Sequence, residues 1–487
     1  KPWQIVLDDV RVRRVRSVDV GPYGYRGDGL LSGGMSAETR GGPLAVPGAR
    51  LDLLPGQLSI GGEPAARLDF LKLELALDPA EKAERRGRRF LRFLSGRLEV
   101  ASPEAQLSSL GFLFRRIPTM DLGGEGSGHL LVHLDHGVLQ PGTTLYAQGD
   151  SAVDYLDYTV RGGGEIAGAV TEDEEGKAQA ALDILFEDFE LRQAGVEDPH
   201  VFGRGAAVQL TSRTLNLVEL EPEVRALVEI PDSEVPRLAY YNRFLPADSG
   251  VRILGGRGRL SARMRLEAPV GTWAGELDLR GENLRVEFQE RVVETQLHLE
   301  AKLPGGRIEE RRADLSGTRL EINRARLLSK SGVPATEGWW ARLELPEGEA
   351  TLSDPVSLKT SFRADLKDTS PLLGLVRKDK ASPPWLRQLI TVEGVAGTGE
   401  ILIEPHDVEA RELAFTAGKH IEVQGHLRLA KKDLSALLFC RYRKLSAAVR
   451  MEHGERDWDL VGSRRWFHEQ ERAWLSSRPP PHSPAPP

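Results

Sequence analysis

The feature that most constrains this chain is a two-residue alternation of apolar and charged side chains that recurs along most of its length. Leu71, Leu73, Leu75 and Leu77 alternate with Lys72, Glu74 and Ala76. Leu260, Ala262, Met264 and Leu266 alternate with Ser261, Arg263 and Arg265, and Leu297, Leu299, Ala301 and Leu303 with His298, Glu300 and Lys302. Leu320 and Ile322, Ile421 and Val423, and Leu427 and Leu429 continue the habit. Successive strand side chains point to opposite faces, so each segment has one apolar and one charged face. The pattern predicts half-buried antiparallel strands, because a buried parallel sheet would read as near-continuous apolar runs.

The stretch GELDLRGENLRVEF (275–288) shows the alternation on both sides of a Gly-Glu-Asn break. It predicts that Leu277, Leu279, Leu284, Val286 and Phe288 point one way, while the charged residues between them solvate the other face. Either two sheets pack their leucines into a dry sandwich core, or one curved sheet folds over itself and the same side chains line a long apolar groove. Alternation alone does not separate the two.

Turn chemistry divides the strands at Gly123-Gly124, Gly255-Gly256, Pro304-Gly305-Gly306 and the acidic tip 172–176. Proline after a side-chain acceptor predicts short helices at sheet ends. These follow Asp78-Pro79 (to about Leu94), Ser102-Pro103-Glu104, Thr369-Ser370-Pro371 and Ser382-Pro383, and another starts near Asp232 and stops before Pro246. SRRWFHEQERAWL predicts a carboxy-terminal helix, and RPPPHSPAPP a disordered tail. No fixed-period repeat emerges. The expected division is 1–230, a central sheet over 231–328, a carboxy-terminal part over 329–475 and a tail over 476–487.

Composition narrows the function classes. The net charge of -7 and 28% charged residues argue against general nucleic-acid binding. The single cysteine, Cys440, excludes an intrachain disulfide and a cysteine-rich metal site. No run of about 18 apolar residues forms a spanning helix. The chain opens on Lys1 instead of methionine, so it reads as the remainder of a longer one.

Candidate catalytic and ligand-binding motifs resolve into structural readings. His129, His133 and Asp135 share one face of a strand, with His136 beside them, but strand positions four apart are separated by about 13 Å, too far for one metal. GGEGSG (123–128) lacks the strand–loop–helix setting of a phosphate cradle and reads as linker or hairpin, and RGGGEIAG fails the same test. No G-x-S-x-G elbow occurs, Cys440 reads as a packing residue, and no acid pair, Glu187-Asp188 included, stands out as catalytic. Arg85, Arg86, Arg88 and Arg89 read as a solvated helix face. Their alternative is a basic element meeting anionic headgroups, with Phe90, Leu91, Phe93 and Leu94 on its apolar side.

The order VPRLAYYNRFLPADSGVRILGGRGRLSARMRLEAPVGTWAGELDLRGENLRVEF, then LHLEAKL, then RRADLSGTRLEINRARL, resembles the AsmA-like superfamily of bacterial envelope proteins, to which TamB is related. DTSPLLGLV, SPPWLRQLI and GHLRLAKKDLSALLF are similar to that family's carboxy-terminal pattern. The resemblance covers 231–461 and is carried by patterning instead of invariant residues. It implies a mostly β protein whose long curved antiparallel sheet forms a groove, or β-taco, with a few short helices at its ends. It further implies a periplasmic body on an amino-terminal inner-membrane anchor, and phospholipid acyl chains as cargo for outer-membrane lipid homeostasis. No catalytic residue, metal or cofactor is implied. The expected lipid face is Leu260, Met264, Leu266, Leu277, Leu279, Leu284, Val286, Phe288, Leu297 and Leu299. A low aromatic content (6%) suits flexible chains better than a shaped small-molecule pocket. The competing expectations are a scaffold of outer-membrane assembly, with a closed core, envelope protein partners and no lipid, and a β-helical carbohydrate-acting enzyme.

Overall fold

The computed structural model describes residues 3–108, 120–155, 157–173, 175–196, 198–218, 223–245, 250–267, 271–288, 291–307, 310–328, 334–351, 353, 355–368, 393–430, 433–452 and 455–476. Strand makes up 74% of the structure, and among the described residues thirty strands belong to one antiparallel sheet with few short helices. The chain divides into two units, one of 1–233 with 262–272 and one of 234–261 with 273–487.

In the first unit, cross-strand pairing aligns the alternating patterns into rows. One row runs Leu53, Leu71, Val100, Leu130, Leu145, Gly168, Leu182, Leu210 and Ala226, each directly opposite the next on a neighbouring strand. Nothing polar interrupts it. The other face carries charge: Lys72 lies 3.8 Å from Glu99, and Arg50 lies 3.5 Å from Glu74 on the paired strand. Opposite charges in facing positions add modestly to pairing, and the apolar rows supply most of the drive to fold.

The glycines of GGEGSG and RGGGEIAG are strand interior, in Met120–Asp135 and Tyr158–Glu172, not linker. Gly126, Gly149 and Gly164 stand opposite one another across three strands. A Cβ on Gly164 would lie 1.9 Å from the Leu185 carbonyl oxygen, so only glycine permits this approach of neighbouring backbones.

The second unit repeats the arrangement. One row runs Leu299, Leu320, Leu343, Ala364, Gly397, Phe415, Val423, Cys440 and Ala447. A parallel row runs Leu297, Ile322, Ala341, Leu366, Val395, Ala417, Ile421, Tyr442 and Leu445. On the opposite face Glu300, Arg319, Glu344 and Arg363 alternate in sign from strand to strand.

Long strands keep their faces through bulges. Asn283, Arg324 and Glu412 each adopt positive φ (51°, 52° and 49°) inside a strand. At Arg324 and Glu412 the pairing register shifts, between Ile322 and Ala325 and between Ala410 and Leu413. An inserted residue flips the parity of everything after it. Apolar positions therefore move from 320 and 322 to 325, and from 408 and 410 to 413 and 415, without changing face.

Several expected helices are strand instead. Asp78-Pro79 ends the strand Phe70–Ala80, and only a 3-10 helix, Gly87–Phe93, follows. Gly87 has φ +66°, incompatible with a continuous helix through the arginines. Arg85 is no solvated face residue: its guanidinium donates to the carbonyls of Ala80 and Gly42. Ser102-Pro103-Glu104 lies within the strand Leu94–Gln106, where the Ser102 hydroxyl donates to carbonyls. Near Asp232 the strand Val224–Val235 continues, and the helix is a 3-10 turn, Leu238–Phe244. The acidic tip is an Asx turn in which Asp173 accepts from the N–H groups of Glu175 and Lys177. Helix Ser463–Ser476 forms as expected. The starts at Thr369-Ser370-Pro371 and Ser382-Pro383, and the tail from 477, lie outside the described residues.

Candidate functional site: the apolar face

The candidate site is the apolar face itself, and its covering varies along the second unit. In the middle it is packed. Ala341, Leu345, Phe362, Ala364, Leu366, Val395, Leu413 and Ala417 form one buried cluster, none more than 8% exposed. The rings of Phe362 and Phe415 lie 6.4 Å apart, and a Cβ on Gly399 or Gly397 would fall within 3 Å of one of them. Each ring fills space that a glycine on the intervening strand leaves open.

The residues expected to meet lipid are covered differently. Leu260 and Leu284 are buried, at 9% and 6% exposure. Leu277, Leu279, Val286, Leu297 and Leu299 in the second unit are half-buried, as are Met264 and Leu266 in the first. Phe288 ends its strand, and its side chain lies outside the described residues. Leu279 and Leu297 are brought together by a residue that sequence reasoning left out of the site. Leu238, 3% exposed, reaches over Gly258 and Gly281, where built Cβ atoms would meet its methyl groups at 3.5 and 3.1 Å. Leu279 would lie 3.4 Å from a Cβ on Gly258, and Leu297 3.3 Å from one on Gly281. The Leu-Ala-Tyr-Tyr sequence after a strand was the available signal, because an apolar helical turn beside Gly-containing strands has a ready seat.

The carboxy-terminal helix packs on the opposite face. Phe467, 2% exposed, contacts Leu437, Phe439 and Ala448, whose neighbours on that face are Gln424, His426 and Arg450. His426 is buried and its Nε2 lies 3.0 Å from Glu471, with its ring stacked on Trp474. Burial would raise the Glu471 carboxyl, but hydrogen bonds from His426 and His468 prevail and hold it below the usual carboxylate range.

The histidine cluster does not converge. His129 pairs with Glu99 at 3.4 Å, and His133 Nε2 is buried without a hydrogen bond. His136, at φ +47°, bridges Asp135 (2.8 Å) and Asp78 (2.9 Å). Among the described residues, Asp278, His298 and Glu300 form the one group whose ligand atoms lie within 4.8 Å of one another. Arg280 already holds Asp278 at 3.1 Å, so the group reads as part of the charged face. Cys440 is accessible and sits in an apolar row between Val423 and Ala447. No described helix is long and apolar enough to cross a membrane. In comparisons with known proteins, no family model, no curated protein and no solved structure matches the chain.

Proposed function

We propose that this chain is a non-enzymatic, lipid-handling protein of the bacterial envelope, and that acyl chains of phospholipid lie along the apolar strand faces. The observation that carries the reading is the row. In each unit nine consecutive positions, one per strand, are apolar, glycine or cysteine without a polar interruption. A hydrocarbon chain needs continuous apolar surface and no directional partner, which such a row supplies. Half-buried Leu277, Leu279, Leu297 and Leu299 retain surface for it. The resemblance to AsmA-like proteins adds the setting: a periplasmic body, an inner-membrane anchor and transfer toward the outer membrane.

The test uses the lone cysteine. A small bimane label on Cys440 faces the row and should be quenched by phospholipid spin-labelled on its acyl chain, and phospholipid should co-purify with the protein. Leu299→Glu, placing a charge in the row, should abolish quenching. Absence of both co-purifying lipid and quenching would sink the proposal.

A second reading, a scaffold of envelope assembly without cargo, is favoured by the packed cluster around Phe362 and Leu413. It predicts photocrosslinks from position 279 to protein partners and none to lipid.

A further inference from the structure

We infer that the carboxy-terminal corner of the second unit docks onto a bilayer carrying anionic phospholipid, with Leu445, Leu460 and Val461 entering among the headgroups. These side chains are 68%, 70% and 101% exposed. Leu445 opens the strand Leu445–Glu452 at a hairpin tip. Leu460 and Val461 lie between the strand Glu455–Asp459 and the helix Ser463–Ser476. Clustered aliphatic side chains left in water mark a contact surface.

The two tips are held side by side. The Ser446 and Ser463 hydroxyls lie 2.7 Å apart across them. Asp459 Oδ1 accepts from the N–H groups of Val461 and Gly462 at 3.0 and 2.7 Å, which fixes the loop that presents Val461 to solvent. The hairpin turns at Arg443, whose φ of +53° is a left-handed conformation that glycine adopts without strain. Its N–H donates to the His420 carbonyl at 2.9 Å, tying the turn before Ile421 into the same corner. Leu445 pairs with Tyr442, and Tyr442 with Ile421, so the corner is contiguous with the apolar face.

Charge selects the occupant. Arg441 is paired with Glu422, and Arg465 with Glu469 at 2.9 Å. Among the described residues no carboxylate pairs with Lys419, Arg443, Lys444 or Arg464, all of them exposed. Arg443 and Arg464 lie 5.4 and 6.0 Å from the ring centres of Tyr442 and Phe439, contacts that leave their charge uncompensated. Arg464 and Arg465 also stand in the first turn of the helix, which has no acidic residue there. The helix dipole adds partial positive charge at that end, so an anionic partner relieves both. A soluble anion would satisfy the cations and leave the three aliphatic side chains in water. An anionic bilayer takes both, the cations at its surface potential and the aliphatics at the acyl boundary.

The test is flotation of the chain with phosphatidylcholine vesicles, with and without phosphatidylglycerol, at about 0.15 M salt. An NBD label at position 461 of Cys440→Ser/Val461→Cys reports insertion. Flotation should require phosphatidylglycerol, and the label should brighten and shift to the blue on binding. Arg443→Gln/Lys444→Gln should weaken binding roughly ten- to thirtyfold. Leu460→Asp/Val461→Asp should weaken it roughly tenfold or more, with the melting profile kept because these side chains are exposed. Docking does not rest on the acyl-chain reading: Leu299→Glu should float like the parent even as it loses quenching at Cys440. The inference is overturned if anionic vesicles do not bind the chain, if either double variant floats like the parent, or if the label on floated protein keeps its aqueous spectrum. It is also overturned if the label shifts without vesicles wherever light scattering shows dimers, which assigns the corner to a second copy.

Discussion

Truncating Phe467 to alanine should release the carboxy-terminal helix while leaving the apolar face intact. Phe467 is 2% exposed against Leu437, Phe439 and Ala448, with its ring 5.9 Å from that of Phe439. A buried phenylalanine-to-alanine change costs about 3–5 kcal/mol. A 14-residue helix is marginal in isolation, so its order comes from docking. Losing 3–5 kcal/mol of docking raises the undocked population by roughly two to three and a half orders of magnitude. Hydrogen exchange of 463–476 should accelerate by that factor, with a red shift of Trp466 and Trp474 fluorescence. Protection in the strand Asp433–Tyr442 should persist, because its ladders to both neighbours remain. Acyl-chain quenching at Cys440 should also persist, because Cys440 and Phe439 point to opposite faces. If exchange stays slow in the helix, or quenching disappears with it, the assignment of the helix to the charged face is wrong.

Three further outcomes follow from the geometry. Gly164→Val should prevent stable expression or lower the melting temperature strongly, because its Cβ would sit 1.9 Å from backbone at Leu185 and the sheet cannot yield there; overpacking costs about 1–3 kcal/mol or more. The Glu471 carboxyl, held below its ordinary 4.5, contributes docking stability above that value and loses it as pH falls through its depressed folded value. Glu471→Gln should therefore flatten the acid limb of helix exchange. His136 is raised above 6.5, first by its hydrogen bond to Asp135 and then by Asp78, so its contribution is complete below 6.5 and is lost as pH rises through the raised value. NMR titration of His136 should show the shift, and Asp78→Asn should reduce it.

The alternation made the strands legible because the hydrophobic effect acts on faces, and a period of two identifies faces without knowledge of partners. What it could not give was which strand lies opposite which. That information resides in registers, and registers here are adjusted by bulges at Arg324 and Glu412, ordinary residues in a left-handed conformation. Their only trace in the sequence is a parity slip, as from Ile322 to Ala325, which looks like noise until pairing gives it a reason. Proline misled in the other direction. Pro79 and Pro103 sit within the strands Phe70–Ala80 and Leu94–Gln106, and the Ser102 hydroxyl before the second donates to carbonyls instead of capping helix N–H groups. An alternating sequence thus specifies an apolar face almost completely. The breaks at Arg324 and Glu412 matter because they shift the register and keep that apolar surface on one face of the sheet.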